Sequence, residues 1–213
     1  MDTEDLSIAI CPNFPSVEKT YSHRPMDRLI ELFESILPIS DADKVLIIQN
    51  TYIETLEKGE KYCGQGQTCK KMGFVLEGVF KVVRTNAKGD DFIQYFTSEG
   101  HFAVALESFT NKTPSEEYIE ALTKCTLITL TISKYELLEK SIPNFSKIIS
   151  QIKEKALLEK YLLKSEMLVD DAQTKYSKLV QRQPSIIQRI TQSQIASFLG
   201  ITQHTLSRIR AKK

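Results

Sequence analysis

The chain has 213 residues, a formal net charge of +1, 41% hydrophobic and 26% charged residues, and no Trp. That length buries a core in one large domain or two unequal ones, and the composition is that of a globular protein. No apolar run approaches the ~18–20 residues of a membrane span, and the start, MDTEDLSIAICPNFP, is acidic where a secretory signal would be basic. A cytoplasmic protein is therefore expected.

Residues 1–25 hold Pro12, Pro15 and Pro25 with weak periodicity, which predicts an irregular lead-in. Met26 to Leu37 places Leu29, Ile30, Leu32, Phe33, Ile36 and Leu37 at helical spacing, and Pro38 ends the run. A second helix is expected after Ser40, with Val45, Ile47 and Ile48 apolar. The texture then changes, for seven of the eight glycines lie between Gly59 and Gly100 and punctuate short β-like runs. These are 73–78, 79–84 and 92–96, with a hairpin turn at Asn86-Ala-Lys-Gly89. A further pair, 118–122 and 127–132, completes a sandwich or barrel-like β unit.

From Lys134 onward no strand signal returns. Ser133 is placed to cap a short helix over Lys134–Lys140, and Pro143 to begin a long one. In the long segment Phe145, Ile149, Ile152, Ala156, Leu163 and Met167 form one stripe, which Ile148, Leu158 and Leu162 widen. So broad a stripe packs against the β unit, another subunit, or both. Asp170 to Gln183 makes another amphipathic helix, broken near Pro184.

The net charge hides an asymmetry. From Arg182 to Lys213 there are six basic residues and no acidic one, leaving 22 basic against 27 acidic, or −5, in the first 181. A basic C-terminal module on an acidic body suits polyanion contact at one end. In that module Thr191 and Gln194 have the spacing of a capping box, and Gly200 permits the positive φ of a sharp turn. Ile195, Leu199, Leu206 and Ile209 face inward, while Ala196 is small where a second helix, capped by Thr202, crosses closely. These offsets are those of a helix-turn-helix. Its outward face presents Gln203, His204, Ser207 and Arg208; Gln can pair with adenine and Arg with guanine in the major groove. Thr202, Thr205, Arg210, Lys212 and Lys213 suit phosphates.

The four cysteines, Cys11, Cys63, Cys69 and Cys125, form no zinc pattern and are scattered along the chain, so reduced, partly buried thiols are expected. His101 reads as a structural histidine, and no metal site is expected. Neither a paired-carboxylate site, a nucleophile with a placed base, nor a P-loop is visible, so the chain is not expected to be an enzyme.

Together, LEKGEKYCGQGQTCKKMGFVLEGVFKVV (56–83), LESFTNKTPS (106–115) and ITQSQIASFLGITQHTLSRIR (190–210) make the chain resemble the Crp/Fnr family of bacterial transcription regulators, especially variants common in Bacteroidetes. The resemblance runs from roughly Leu29 to Arg210. It implies an α+β chain: a cyclic-nucleotide-binding-like jelly roll over 26–142, a dimerisation helix over 143–169 seamed by Ile149, Ile152, Ala156 and Leu163, and a helix-turn-helix domain over 170–213 without a full wing. It further implies a homodimer on a palindromic operator, with RNA polymerase as a further partner. Gln203, His204 and Arg208 match the family's base-reading positions, and Thr202 and Thr205 its phosphate-contacting ones.

The departure is in the jelly roll. Family members that bind cyclic AMP carry Gly-Glu, then about ten residues later Arg-Ser/Thr-Ala, to hold the ribose hydroxyl and the cyclic phosphate. Here Val104-Ala105 replaces the first pair, and Ser115-Glu116-Glu117 stands at the second, where two carboxylates would repel a phosphate. Glu107 lies two residues off register. The degenerate pocket of Val104, Ala105, Leu106, Glu107, Ser115 and Glu116 is thus not expected to take cyclic AMP, and the effector stays unassigned. The other reading left open is a small-molecule or redox sensor acting through protein contacts, with vestigial DNA binding.

Overall fold

The structure is a computed structural model and describes residues 25–211. Two helices come first, α1 (Asp27–Glu34) and α2 (Asp41–Gln49). Ser40 caps α2 by accepting from the Asp43 amide at 3.1 Å. Eight strands follow: β1 (Tyr52–Leu56), β2 (Lys61–Cys63), β3 (Lys71–Glu77), β4 (Val79–Thr85), β5 (Asp91–Ser98), β6 (Phe102–Ala103), β7 (Glu117–Ala121) and β8 (Cys125–Thr131). They form two antiparallel four-stranded sheets, in the orders β1-β8-β3-β6 and β2-β7-β4-β5. The helix α3 (Leu106–Asn111) lies between β6 and β7.

The expected strands are all present. The sequence reading lacked β1, β2, β6 and α3, because β2 and β6 are only three and two residues long and β1 alternates weakly. The β3–β4 turn explains one glycine. Gly78 has φ +107°, and a Cβ there would stand 2.5 Å from the Cys125 Sγ, so only glycine fits both the backbone and the space.

Long stretches of β3 and β4 are buried on both faces, as the continuous runs around Phe74-Val75 and Val82-Val83 require. One apolar cluster joins these strands to Leu29 and Phe33 of α1, Ile47 of α2, and helices α4 (Ile132–Ser141) and α5 (Phe145–Val169). The ring of Phe145 packs edge-on against Phe33 and Tyr135 at 6.0 and 5.6 Å. A cavity of about 10 Å³ remains there, with a lining almost wholly of apolar side chains that offers a water no partners.

Helix starts differ slightly from expectation. α4 begins at Ile132, whose amide donates to the Lys70 carbonyl at 2.8 Å. The Ser133 hydroxyl therefore meets Thr131 Oγ1 at 3.2 Å and does not cap. α5 begins at Phe145, where the Asn144 carbonyl takes the Ile148 amide at 3.0 Å, so Pro143 stands just outside. The chain then runs through α6 (Ala172–Arg182), α7 (Pro184–Ile187), α8 (Gln192–Leu199) and α9 (Gln203–Ala211). Asp171 caps α6 with its carboxylate 2.7 Å from the Thr174 amide.

A second apolar cluster binds these last helices to the jelly roll. Val79, Phe96 and Leu122 from the strands pack with Tyr176, Leu179, Ile186, Ile195, Phe198 and Leu206. Phe96 and Phe198 have ring centroids 5.1 Å apart. Beside them the Arg189 guanidinium forms a bidentate pair with Glu99 at 2.6 and 2.9 Å. Glu99 also accepts from the Gly78 amide at 2.8 Å. Burial pushes the Glu99 carboxyl up, but the hydrogen bonds from Arg189 and Gly78 outweigh it and hold it below the ordinary glutamate value.

Candidate nucleic-acid interface and jelly-roll pocket

α8 and α9 are positioned by local chemistry before any tertiary packing. Thr191 accepts the Gln194 amide at 3.3 Å while the Gln194 side chain accepts the Thr191 amide at 2.8 Å, a complete capping box. Gly200 ends α8 with φ +66°, and the Ile201 amide returns to the Ala196 carbonyl at 3.0 Å. Thr202 then caps α9 by accepting the Thr205 amide at 3.1 Å. Ile195, Ala196, Leu199 and Leu206 are all buried, which fixes the crossing of the two helices.

The opposite face of α9 is polar and open. Gln203, His204, Ser207, Arg208 and Arg210 are exposed. Thr202 is exposed and Thr205 half-buried, their hydroxyls 2.9 Å apart. Lys212 and Lys213 lie outside the described residues, as do Cys11 and the lead-in as far as residue 24. The structure also sorts the basic excess. Arg182 is held bidentately by Glu166 at 2.5 and 2.7 Å, and Arg189 by Glu99, so both are committed within the chain. Arg208 and Arg210 are exposed on α9.

On the long helix the four seam residues assigned from sequence differ in burial. Ile149 is only 2% exposed and belongs to the chain's own core, with Ile152 packed against it. Leu163 packs on the second apolar cluster and Ala156 is half-buried. Ile149 is thus covered within its own chain, while Ile152, Ala156 and Leu163 are half-buried. The apolar side chains facing outward are Leu157, Leu158, Tyr161, Leu168 and Val169, between 51% and 88% exposed. A stripe this broad covers two sides of a helix, and the sequence does not say which side its own core takes.

In the jelly roll, Ala105 is buried at the start of α3, with Val104 and Leu106 half-buried beside it and Glu107 exposed. Ser115 is buried, and its hydroxyl donates to the Glu117 carbonyl at 2.7 Å while accepting the Glu117 amide at 3.2 Å. Glu116 pairs with Arg84. Burial pushes the Glu117 carboxyl above its ordinary value, partly offset by Lys160, Arg84 and Lys164. Lys160 reaches in from α5, with Nζ 3.9 Å from the Tyr95 ring centroid. Burial lowers its pKa, and the Glu117 charge opposes that. Ser115 is therefore turned onto its own backbone, and the chain's own lysine and arginine face the acidic residues.

Sequence reasoning missed Lys160 and Arg84, because nothing local marks a helix residue some forty positions downstream, or a strand residue some thirty upstream, as a neighbour of Glu116 and Glu117. Of the cysteines, Cys63, Cys69 and Cys125 are buried free thiols. His101 sits at the surface, its Nδ1 3.1 Å from the Glu99 carbonyl.

The fold defines a class: a jelly-roll domain joined by one long helix to a helix-turn-helix. Residues 53–139 match the family model of the cyclic nucleotide-binding domain. A protein from Eubacterium rectale described as a transcriptional regulator of the Crp/Fnr family superposes with a TM-score of 0.65 at 16% identity, covering 82% of this chain and 83% of that one. The c-di-GMP responsive global regulator CLP of Xanthomonas campestris gives 0.63 at 14%, covering 81% and 91%. The catabolite activator protein of Thermus thermophilus gives 0.53 at 15%, covering 89% and 86%. No curated protein matches the chain. The chain shares its fold with these proteins, from the jelly roll through the long helix to the C-terminal helix-turn-helix.

Proposed function

We propose that this chain is a sequence-specific DNA-binding transcription regulator that acts as a homodimer. The observation that carries the reading is α9, braced from within by Leu206 and presenting Gln203, His204 and Arg208 to solvent, in a module with no acidic residue from Arg182 to Lys213. An exposed polar helix behind a tight turn fits the major groove. Gln203 and Arg208 carry the side chains that pair bidentately with adenine and guanine, and His204 lies between them. Thr202, Thr205, Arg210, Lys212 and Lys213 are assigned to phosphates, which set register without reading sequence. The outward apolar face of α5 supports a second copy as partner, with Leu157, Leu158 and Tyr161 in the seam, and two copies would place two half-sites about one helical turn apart.

The jelly roll in this reading is a sensor-type domain whose effector is not cyclic AMP held in the usual way. The Ser115 hydroxyl, committed to the Glu117 backbone, supports that, as do the carboxylates of Glu116 and Glu117 beside it. Selection from random duplexes, followed by anisotropy titration of the enriched sequence over a salt series, tests the proposal. A palindromic consensus with affinity falling steeply with salt is expected. Arg208→Ala should lose about 1–3 kcal/mol at one base position while leaving other positions unchanged. Enrichment of no sequence at any salt would favour a sensor working through protein contacts.

A further inference from the structure

The register of the sheet β2-β7-β4-β5 separates its two faces. Tyr95 of β5 stands opposite Val82 of β4, which stands opposite Ile119 of β7. Val82 and Ile119 are buried, so this row faces the interior, and Tyr95 packs against the same apolar cluster. Two residues along, the cross-strand pair Arg84 and Glu117 falls on that same face. Tyr118 belongs to the opposite face, where its hydroxyl donates to Asp91 at 2.7 Å and Lys61 lies 4.5 Å above its ring. The inner face therefore ends in a phenol ring and a carboxylate, next to Ser115 and Glu116.

The helix α5 meets this face with a charge. Ile149, Lys153, Ala156, Lys160 and Leu163 follow one another at steps of four, three, four and three, so they share one side of the helix. Ile149 lies in the jelly-roll core, and Leu163 packs on the second apolar cluster. Between these anchors stand two lysines, where apolar side chains would serve packing alone. Each sets its ammonium on a ring: Lys153 Nζ is 5.6 Å from the Tyr135 centroid, and Lys160 Nζ is 3.9 Å from that of Tyr95. A lysine packed along a protein surface ordinarily carries its charge outward to water. Lys160 is half-buried and carries it onto the ring of the face that bears Glu117. Burial lowers the pKa of this ammonium, and the Glu117 charge opposes that effect.

We propose that the inner face of this sheet is an ammonium site and that Lys160 is its resident occupant, clasping α5 to the jelly roll in the absence of an effector. The proposal deepens, and rests on, the reading that this jelly roll does not hold cyclic AMP in the usual way. A ring face attracts a cation, and a carboxylate beside it attracts the same charge while repelling a phosphate. The chemical class the site takes is a primary alkylammonium, one positive charge on a short apolar stem. Because the stem belongs to α5, the middle of the helix is tied to β5 by a side chain and needs no small molecule to bridge the two.

Native protein is given a brief, limiting dose of acetic anhydride, then denatured, fully acetylated with the deuterated reagent and cleaved after glutamate. Lys160 and the exposed Lys164 share the fragment Lys160–Glu166, so both rates are read by fragmenting one peptide. Lys160 is expected to react at least about tenfold more slowly than Lys164, and equal rates overturn the proposal. Lys160→Ala empties the site while leaving Tyr95 and Glu117 in place. n-Propylammonium chloride should raise its melting temperature by about 2 °C or more over propan-1-ol with sodium chloride at the same ionic strength. Neither wild type nor Lys160→Ala/Tyr95→Leu should respond. Equal rescue by the alcohol, or an equal response of wild type, overturns the ammonium site. Where Lys160→Ala does not fold, the labelling of the wild-type chain decides alone. The underlying reading of the jelly roll fails separately, by a rise in the wild-type melting temperature with cyclic AMP. All these readouts are masses and melts, so they stand whether or not the protein binds DNA.

Discussion

The Glu99–Arg189 pair is the polar bond between the jelly roll and the terminal helices, and its strength can be worked from its geometry. An exposed ion pair is worth about 0–1 kcal/mol. This one is stronger on three counts: the guanidinium is bidentate at 2.6 and 2.9 Å, both side chains are about 30% exposed, and Glu99 takes a further bond from Gly78. Arg189 is itself aimed by its Nε donating to the Ser185 carbonyl at 2.9 Å. Charge-assisted bonds of this kind contribute about 1.5–3 kcal/mol, so Arg189→Ala should cost that much in global stability. A double-mutant cycle with Glu99→Ala should return a coupling of about 1–2 kcal/mol, read from urea melts followed by circular dichroism. Arg189→Lys should recover little of it, since an ammonium offers no fork.

The same pair fixes a pH dependence. Glu99 is held below its ordinary value of 4.5 in the folded chain, so its contribution is complete above that pH. It is lost as the pH falls through and below the lowered value, because the folded state must then give up a favoured carboxylate. The coupling should therefore be full at pH 7 and fade in acid. A coupling under about 0.3 kcal/mol at pH 7, or one that persists undiminished at pH 3, would refute the assignment of this pair as a tie between the two parts.

Three other outcomes follow from single positions. Leu206→Ala empties a fully buried site between α9 and α8 and should cost about 2–5 kcal/mol, measured by thermal or urea unfolding. Gly78→Ala meets both a positive φ and the Cys125 sulfur, and should destabilise by about 1–3 kcal/mol in the same melts. Tyr161→Glu changes a side chain that is 68% exposed, so it should leave the monomer fold intact by circular dichroism while shifting sedimentation from dimer towards monomer.

The terminal module was legible almost residue by residue. Thr191, Gln194, Gly200 and Thr202 announce caps and a turn through bonds that span three or four residues, and local chemistry of that kind survives in the sequence. The long strands were legible too, through glycine punctuation and β-branched runs. β2 and β6 were not, because strands of three and two residues carry no periodicity and exist only through partners far away in the chain. The same limit applied to sites. Arg189 read as part of a basic patch, yet it is bound to a carboxylate ninety residues earlier. Ile149 read as a seam residue because a helix pattern shows how wide an apolar face is and not which neighbour covers it.

The 25-residue helix α5 also sets a phase. Phe145, Ile148 and Ile149 are locked into the jelly-roll core at one end, and Leu163 and Met167 into the seam with the terminal helices at the other. Between those grips the helix is an uninterrupted rod, so the azimuth of one end dictates that of the other. One residue added near its middle would turn the far grip by about 100° and shift it about 1.5 Å, whereas seven would bring it back to within about 20°. The spacing between the two anchors is in effect a gear ratio. Evolution can exchange the side chains on this rod far more freely than it can change their number.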